Sequence, residues 1–147
     1  MEISNSSTPP TTVTQVFPGR CSSLEKIAEF VRTAAQQAGL DDFATYQVET
    51  AVDEACSNII EHAYQNTEGE IICTCREEID RLIITLQDQG QPFDGSNIPE
   101  PDLCCDLESR SNHGLGLYFM RKWMDEVRFE YDPALGNKLT MIKRKEK

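Results

Sequence analysis

The spacing of apolar positions changes from two to about 3.6 and back along this chain. Over 11–17, β-branched and polar residues alternate, which predicts a strand, and Pro18-Gly19 ends it. Leu24, Ile27, Ala28, Val31, Ala35 and Ala38 then recur at helical spacing. Ser22 and Glu25 stand in capping-box relation before that helix, and Gly39 is its stop. A longer helix is predicted over 43–64, capped by Asp41 or Asp42, with a stripe of Val48, Ala51, Val52, Ala55, Ile59 and Ala63. After a turn at 66–69 the period returns to two, and 70–75 and 82–87 read as a hairpin. Residues 89–112 carry little periodicity and are rich in Gly, Pro, Asp, Asn and Ser. A helix is predicted over 115–124, and a last pair of strands over 127–131 and 138–143, turned at 132–137.

The order is thus β-α-α-β-β-loop-α-β-β. Strands in adjacent pairs predict an α+β fold, a two-layer α/β sandwich whose mixed, mainly antiparallel sheet carries helices on one face. The Ser-, Thr- and Pro-rich residues 1–10 read as a flexible tail, and 11–147 as one domain.

Charge narrows the function classes. The net charge of −11 repels the phosphate backbone and anionic lipid, so the expectation is no direct nucleic acid and no membrane partner. A nucleotide is still allowed, because a few cations, a metal ion or backbone N–H groups cradle phosphates locally. The N-terminus lacks the basic and apolar regions of a signal peptide, and no run of 18 apolar residues exists; a cytoplasmic protein is expected. The six cysteines lack the spacing of a zinc site and are expected as reduced thiols, with Cys56, Cys73 and Cys75 in the core. Regulatory oxidation of the adjacent Cys104 and Cys105 stays open as an alternative.

Three segments carry candidate chemistry. On the second helix, at about 100° per residue, Glu54, Asn58 and Glu61 fall within roughly 60° of one another, a polar column beside the buried stripe. An ordinary solvated face has the same spacing. The chemistry adds a second meaning: an Asn amide oxygen suits Mg2+, which takes few protein ligands, and a carboxylate one turn earlier suits the proton of an attacking hydroxyl. Next, Asp88-Gln89-Gly90 ends a strand, either as a plain turn or as a carboxylate placed to accept from an exocyclic amine beside a glycine that lets backbone approach a flat ring. Finally, His113-Gly114-Leu115-Gly116-Leu117 opens a helix, where two glycines leave backbone N–H groups for phosphate.

Together and in this order, these segments resemble the nucleotide-binding boxes of the GHKL (histidine kinase-like) ATPase superfamily. The stretches 54–64, 88–94, 113–117 with Met124-Asp125 following, and 136–143 resemble most closely the anti-sigma regulatory factor serine/threonine protein kinases. The resemblance covers about 11–145. It implies an enzyme that binds ATP and Mg2+, phosphorylates a small anti-sigma factor antagonist protein and sequesters a sigma factor. It implies Asn58 as Mg2+ ligand, Glu54 as catalytic base or hydroxyl-orienting group, Asp88 reading the adenine amine with Gly90 close to the base, and Thr140 near the adenine. Gly114 and Gly116, with Leu115 and Leu117, would meet the phosphates, and 91–112 would be the lid, with Phe93 and Arg110 on it. Glu61 completes the binding set, and a homodimer is expected by analogy.

One departure stands out: many relatives carry arginine where this chain has His113, and a neutral His gives less to phosphate charge. The alternative is a partner-switching module that responds to nucleotide occupancy without kinase turnover. A histidine kinase or a gyrase-like ATPase fits less well, because neither a dimerising helical pair nor a transducer domain is expected here.

Overall fold

The computed structural model describes residues 11–65, 68–92 and 120–145. Five strands form one sheet: β1 (Thr11–Pro18), β2 (Glu70–Glu77), β3 (Arg81–Asp88), β4 (Glu126–Asp132) and β5 (Gly136–Arg144). The spatial order is β1-β2-β3-β5-β4. Every pairing is antiparallel, so the mixed component allowed from sequence is absent among the described strands. The chain belongs to the α+β class.

Alternation explains the two faces of the sheet. Ile71, Cys73 and Cys75 on β2, Leu82, Ile84 and Leu86 on β3, and Leu139 and Met141 on β5 are buried. They pack with the apolar stripes of α1 (Leu24–Gln37) and α2 (Asp42–Asn58) in one core. The buried cysteines Cys56, Cys73 and Cys75 are free thiols, and burial pushes the Cys56 thiol far above its ordinary range. The intervening positions form the other face, where Thr14, Thr74, Thr85 and Thr140 stand in one cross-strand row. Thr14 and Thr74 share a hydroxyl–hydroxyl bond of 3.2 Å there.

The helix ends differ in how they are capped. Asp41 is extended, and its carboxylate accepts from the Ala44 N–H at 2.8 Å, as an N-cap should. The capping box expected at Ser22 and Glu25 is absent. A short 3₁₀ turn, Cys21–Ser23, leads into α1 instead, and Ser23 already has helical backbone (φ −85°, ψ −15°). A cap side chain works from extended backbone, so the 3₁₀ turn takes over the entry.

The second helix does not stay α-helical to its end. After Asn58 it widens into a π-helical turn, Ile59–Ala63, closed by the Tyr64 N–H donating to Ile59 C=O at 2.9 Å. A π turn spreads residues further apart around the axis, so the ideal-helix arithmetic holds to Asn58 and fails beyond it.

Candidate functional site

That π turn places the site. Asn58 is the last α-helical residue, and it lines a cleft between the helix and the β3–β5–β4 end of the sheet. The helix contributes Ala55, Asn58, Ile59 and Ala63; the sheet contributes Asp88, Phe129, Glu130, Asn137, Lys138 and Leu139; Met120 closes one side. Apolar side chains share this lining with the amides of Asn58 and Asn137, the Asp88 carboxylate, Glu130 and Lys138, around a cavity of about 30 Å³.

Asp88 is only 4% exposed. Its register partner on β5 is Asn137, itself 8% exposed. Asn137 Nδ2 donates to Asp88 Oδ1 at 2.8 Å, and the Gly90 N–H donates to the same oxygen at 2.8 Å. The second contact makes Asp88-Gln89-Gly90 an Asx-type turn, in line with the turn reading of this segment. Burial pushes the Asp88 carboxyl above its ordinary range, while the bonds from Asn137 and Gly90 pull it back.

Packing alone requires Gly90 to be a glycine. A Cβ there would overlap the Ala63 carbonyl, and the next residue, Gln91, donates its N–H to Ala63 C=O at 2.8 Å. The glycine lets the strand end dock on the π turn. Tyr64 completes this junction: its hydroxyl donates to Glu70 C=O at 2.6 Å and accepts from the Gln89 N–H at 2.8 Å.

Glu54 lies one turn before Asn58 and is half-buried. Burial holds its carboxyl above the usual range, and the charges of Asp53 and Glu61 add to this. Glu61 sits on the π turn, is exposed, and meets His62 Nε2 at 3.5 Å. Its charge reaches Glu54.

The Asn58 amide is the clearest sign of an incomplete site. Its Nδ2 is enclosed and has no hydrogen-bond partner among the described residues. Buried amides are nearly always paired, so an unpaired one at a cleft asks for a ligand or water. As a donor, Nδ2 calls for an acceptor oxygen, and the Oδ1 of the same amide is the atom that would hold a divalent ion.

Thr140 does not join the cleft. It is on the threonine face of the sheet, paired with Thr85 and Arg128, while Leu139 and Met141 point to the helices. Asn137 is the β5 residue that meets Asp88, and sequence reasoning missed it. The signal was available: residue 137 has the same parity as the apolar Leu139 and Met141, and Thr140 has the opposite one. Phe93, Arg110, His113, Gly114, Leu115, Gly116 and Leu117 lie outside the described residues.

An antiparallel sheet covered on one face by helices, with an Asn on the long helix facing an Asp at a strand end, defines an ATPase-domain architecture. Residues 17–143 match the model of the histidine kinase-like ATPase domain, and the chain belongs to that family. Nucleotide use comes with the family. Among individual relatives, the chain is similar to the serine-protein kinase RsbW of Bacillus cereus (strain AH187), 32% identical over 129 residues that cover 83% of this chain and 81% of the relative. RsbW of Bacillus thuringiensis subsp. konkukian (strain 97-27) matches at the same identity and coverage. Among the described residues, no helix is long and apolar enough to cross a membrane.

Proposed function

We propose that this chain is an ATP-dependent serine/threonine protein kinase whose substrate is a small antagonist protein, and that it holds a sigma factor when the antagonist is phosphorylated. One observation carries the reading: a half-buried Glu54, its carboxyl pushed up by burial, stands one helical turn before Asn58, whose enclosed Nδ2 has no partner among the described residues and which lines the same cleft as Asp88. Similarity to serine-protein kinases supports it.

In this reading the Asp88 carboxylate accepts from the adenine amine, and the apolar cleft excludes water from the base. Asn58 is the protein's ligand to Mg2+, which when bound neutralises phosphate charge. Glu54 takes the proton of the substrate hydroxyl as its oxygen bonds to the γ-phosphorus and the bond to the β-phosphate oxygen breaks. A carboxylate raised toward neutrality is better matched to that transfer than an ordinary one. Residues 11–147 act as one unit in this reading, to which His113, Gly114, Gly116, Phe93 and Arg110 contribute nucleotide contacts.

The test separates turnover from binding. Glu54→Gln is expected to keep ATP affinity within about threefold and to lower phosphate transfer to the antagonist by about 10²–10⁴-fold. Phosphoserine is read by mass spectrometry with purified antagonist. Undiminished transfer by the variant would remove Glu54 from catalysis. Absent transfer by the wild type, with partner exchange still following ATP, would make the chain a nucleotide-controlled switch instead.

A further inference from the structure

Asn137 lies in the stretch 136–143, and its side chain ties together several groups at this site. Besides Asp88 Oδ1, its Nδ2 donates to Gln91 C=O at 2.8 Å and reaches Gly90 C=O at 3.5 Å. The residue therefore holds the Asp88 carboxylate and the backbone just beyond β3 at once.

We propose that Asn137 is a specificity-determining residue that makes Asp88 a single-oxygen acceptor and so selects adenine over guanine nucleotides. The inference rests on the nucleotide reading above and deepens it. An ionised carboxylate offers two oxygens, each with two acceptor sites. Both sites of Oδ1 are taken, one by Asn137 Nδ2 and one by the Gly90 N–H. Among the described residues nothing donates to Oδ2. Adenine presents one exocyclic amine next to a ring nitrogen that only accepts, so a single free oxygen satisfies it. Guanine presents two adjacent donors, its ring N–H and its amine, which call for both oxygens of one carboxylate. With Oδ1 occupied, the second guanine donor is left buried and unpaired, and such a loss is where polar sites gain discrimination.

The same two bonds pull the Asp88 carboxyl back against the upward push of burial. The other groups around it are the Cys56 thiol on α2, whose own pKa is pushed up partly by Asp88, and Glu130 and Lys138, which line the cleft from β4 and β5. Asn58 faces it from α2 without charge, as do Gln89 and Gln91 beyond the strand. Removing Asn137 leaves one donor in place of two. Asp88 then takes its proton at higher pH, and a protonated carboxyl accepts poorly.

The experiment titrates the full chain with ATP and with GTP, each with Mg2+, from neutral pH down to about pH 4.5, for wild type, Asn137→Ala and Asn137→Ser. Wild type is expected to prefer ATP and to lose it at the acid end. Asn137→Ala is expected to narrow the ATP-to-GTP affinity ratio by about tenfold and to move the acid loss to higher pH. Serine keeps one donor, so it is expected to restore part of both. If alanine destroys the cooperative melt, the serine variant carries the comparison alone, and it then has to fall short of wild type in both readouts. Equal loss of ATP and GTP with an unmoved acid limb would overturn the proposal and leave Asn137 a purely structural link. Wild-type binding of both nucleotides with equal affinity would overturn it too while sparing the nucleotide reading, whereas binding of neither would sink both.

Discussion

At the scale of single residues, the site is built from side chains that cost the fold something. The buried Asn58 Nδ2 has no partner among the described residues, and an unpaired buried amide is unfavourable by about 1–3 kcal/mol. Asn58→Ala is therefore expected to leave the melting temperature of the nucleotide-free protein unchanged or slightly higher. The same change is expected to abolish the part of ATP affinity that depends on Mg2+, as read by titration with and without the ion. A lower melting temperature with Mg2+ dependence intact would assign Asn58 to the core. Gly136 is the opposite case. Its φ of +91° lies in the left-handed region, and a Cβ would overlap the Asp88 carbonyl. Gly136→Ala is expected to cost at least about 2 kcal/mol, measured as a lower urea midpoint, because both backbone strain and a backbone clash are added.

At the scale of elements, the long helix is where stability and chemistry meet. Its start is held by the Asp41 cap, so Asp41→Ala is expected to lower stability by about 1 kcal/mol without changing nucleotide affinity, the two being read by urea unfolding and titration. The Arg32–Glu49 pair at 3.0 Å joins α1 to α2 across an exposed surface, and such pairs contribute little. The helix end matters more to the site. The π turn brings the Ala63 carbonyl to Gln91 N–H and leaves Asn58 facing the cleft. Widened turns often mark functional positions for this reason: they re-aim side chains that a regular helix would space evenly.

At the scale of the whole molecule, acidity is the governing property. The net charge is −11, and burial raises the carboxyls of Asp53, Glu54 and Asp88. An acid whose folded pKa lies above its unfolded one binds more protons when folded, so stability rises as pH falls toward the ordinary carboxylate range. Relief of self-repulsion acts in the same direction. The melting temperature of the nucleotide-free protein is expected to rise as pH goes from 7.5 to about 5.5. ATP affinity is expected to fall as pH drops further toward the ordinary carboxylate range, because Asp88 loses the charge it uses. Scanning calorimetry and titration on one pH series check the pair of slopes, and a parallel decline of both would contradict it.

Much of this protein was decided by the sequence alone, because hydrophobic spacing is local information. The alternation of residues 70–75 and 82–87, and the stripe from Val48 to Ala63, define strands and a helix without reference to anything distant. The pairing of Glu54 with Asn58 was legible for the same reason, since four residues on an α-helix make one turn. The strand order β1-β2-β3-β5-β4 depended on long-range pairing. So did the meeting of Asp88 with Asn137, 49 positions apart. The resemblance points to Thr140 as the adenine-side residue, whereas parity turns it to the far face, and the arithmetic that adds Glu61 to the column assumes a regular helix where the chain forms a π turn. Local periodicity tells which residues share a face; only packing tells what that face meets, and where a turn must widen to let a neighbouring strand end dock.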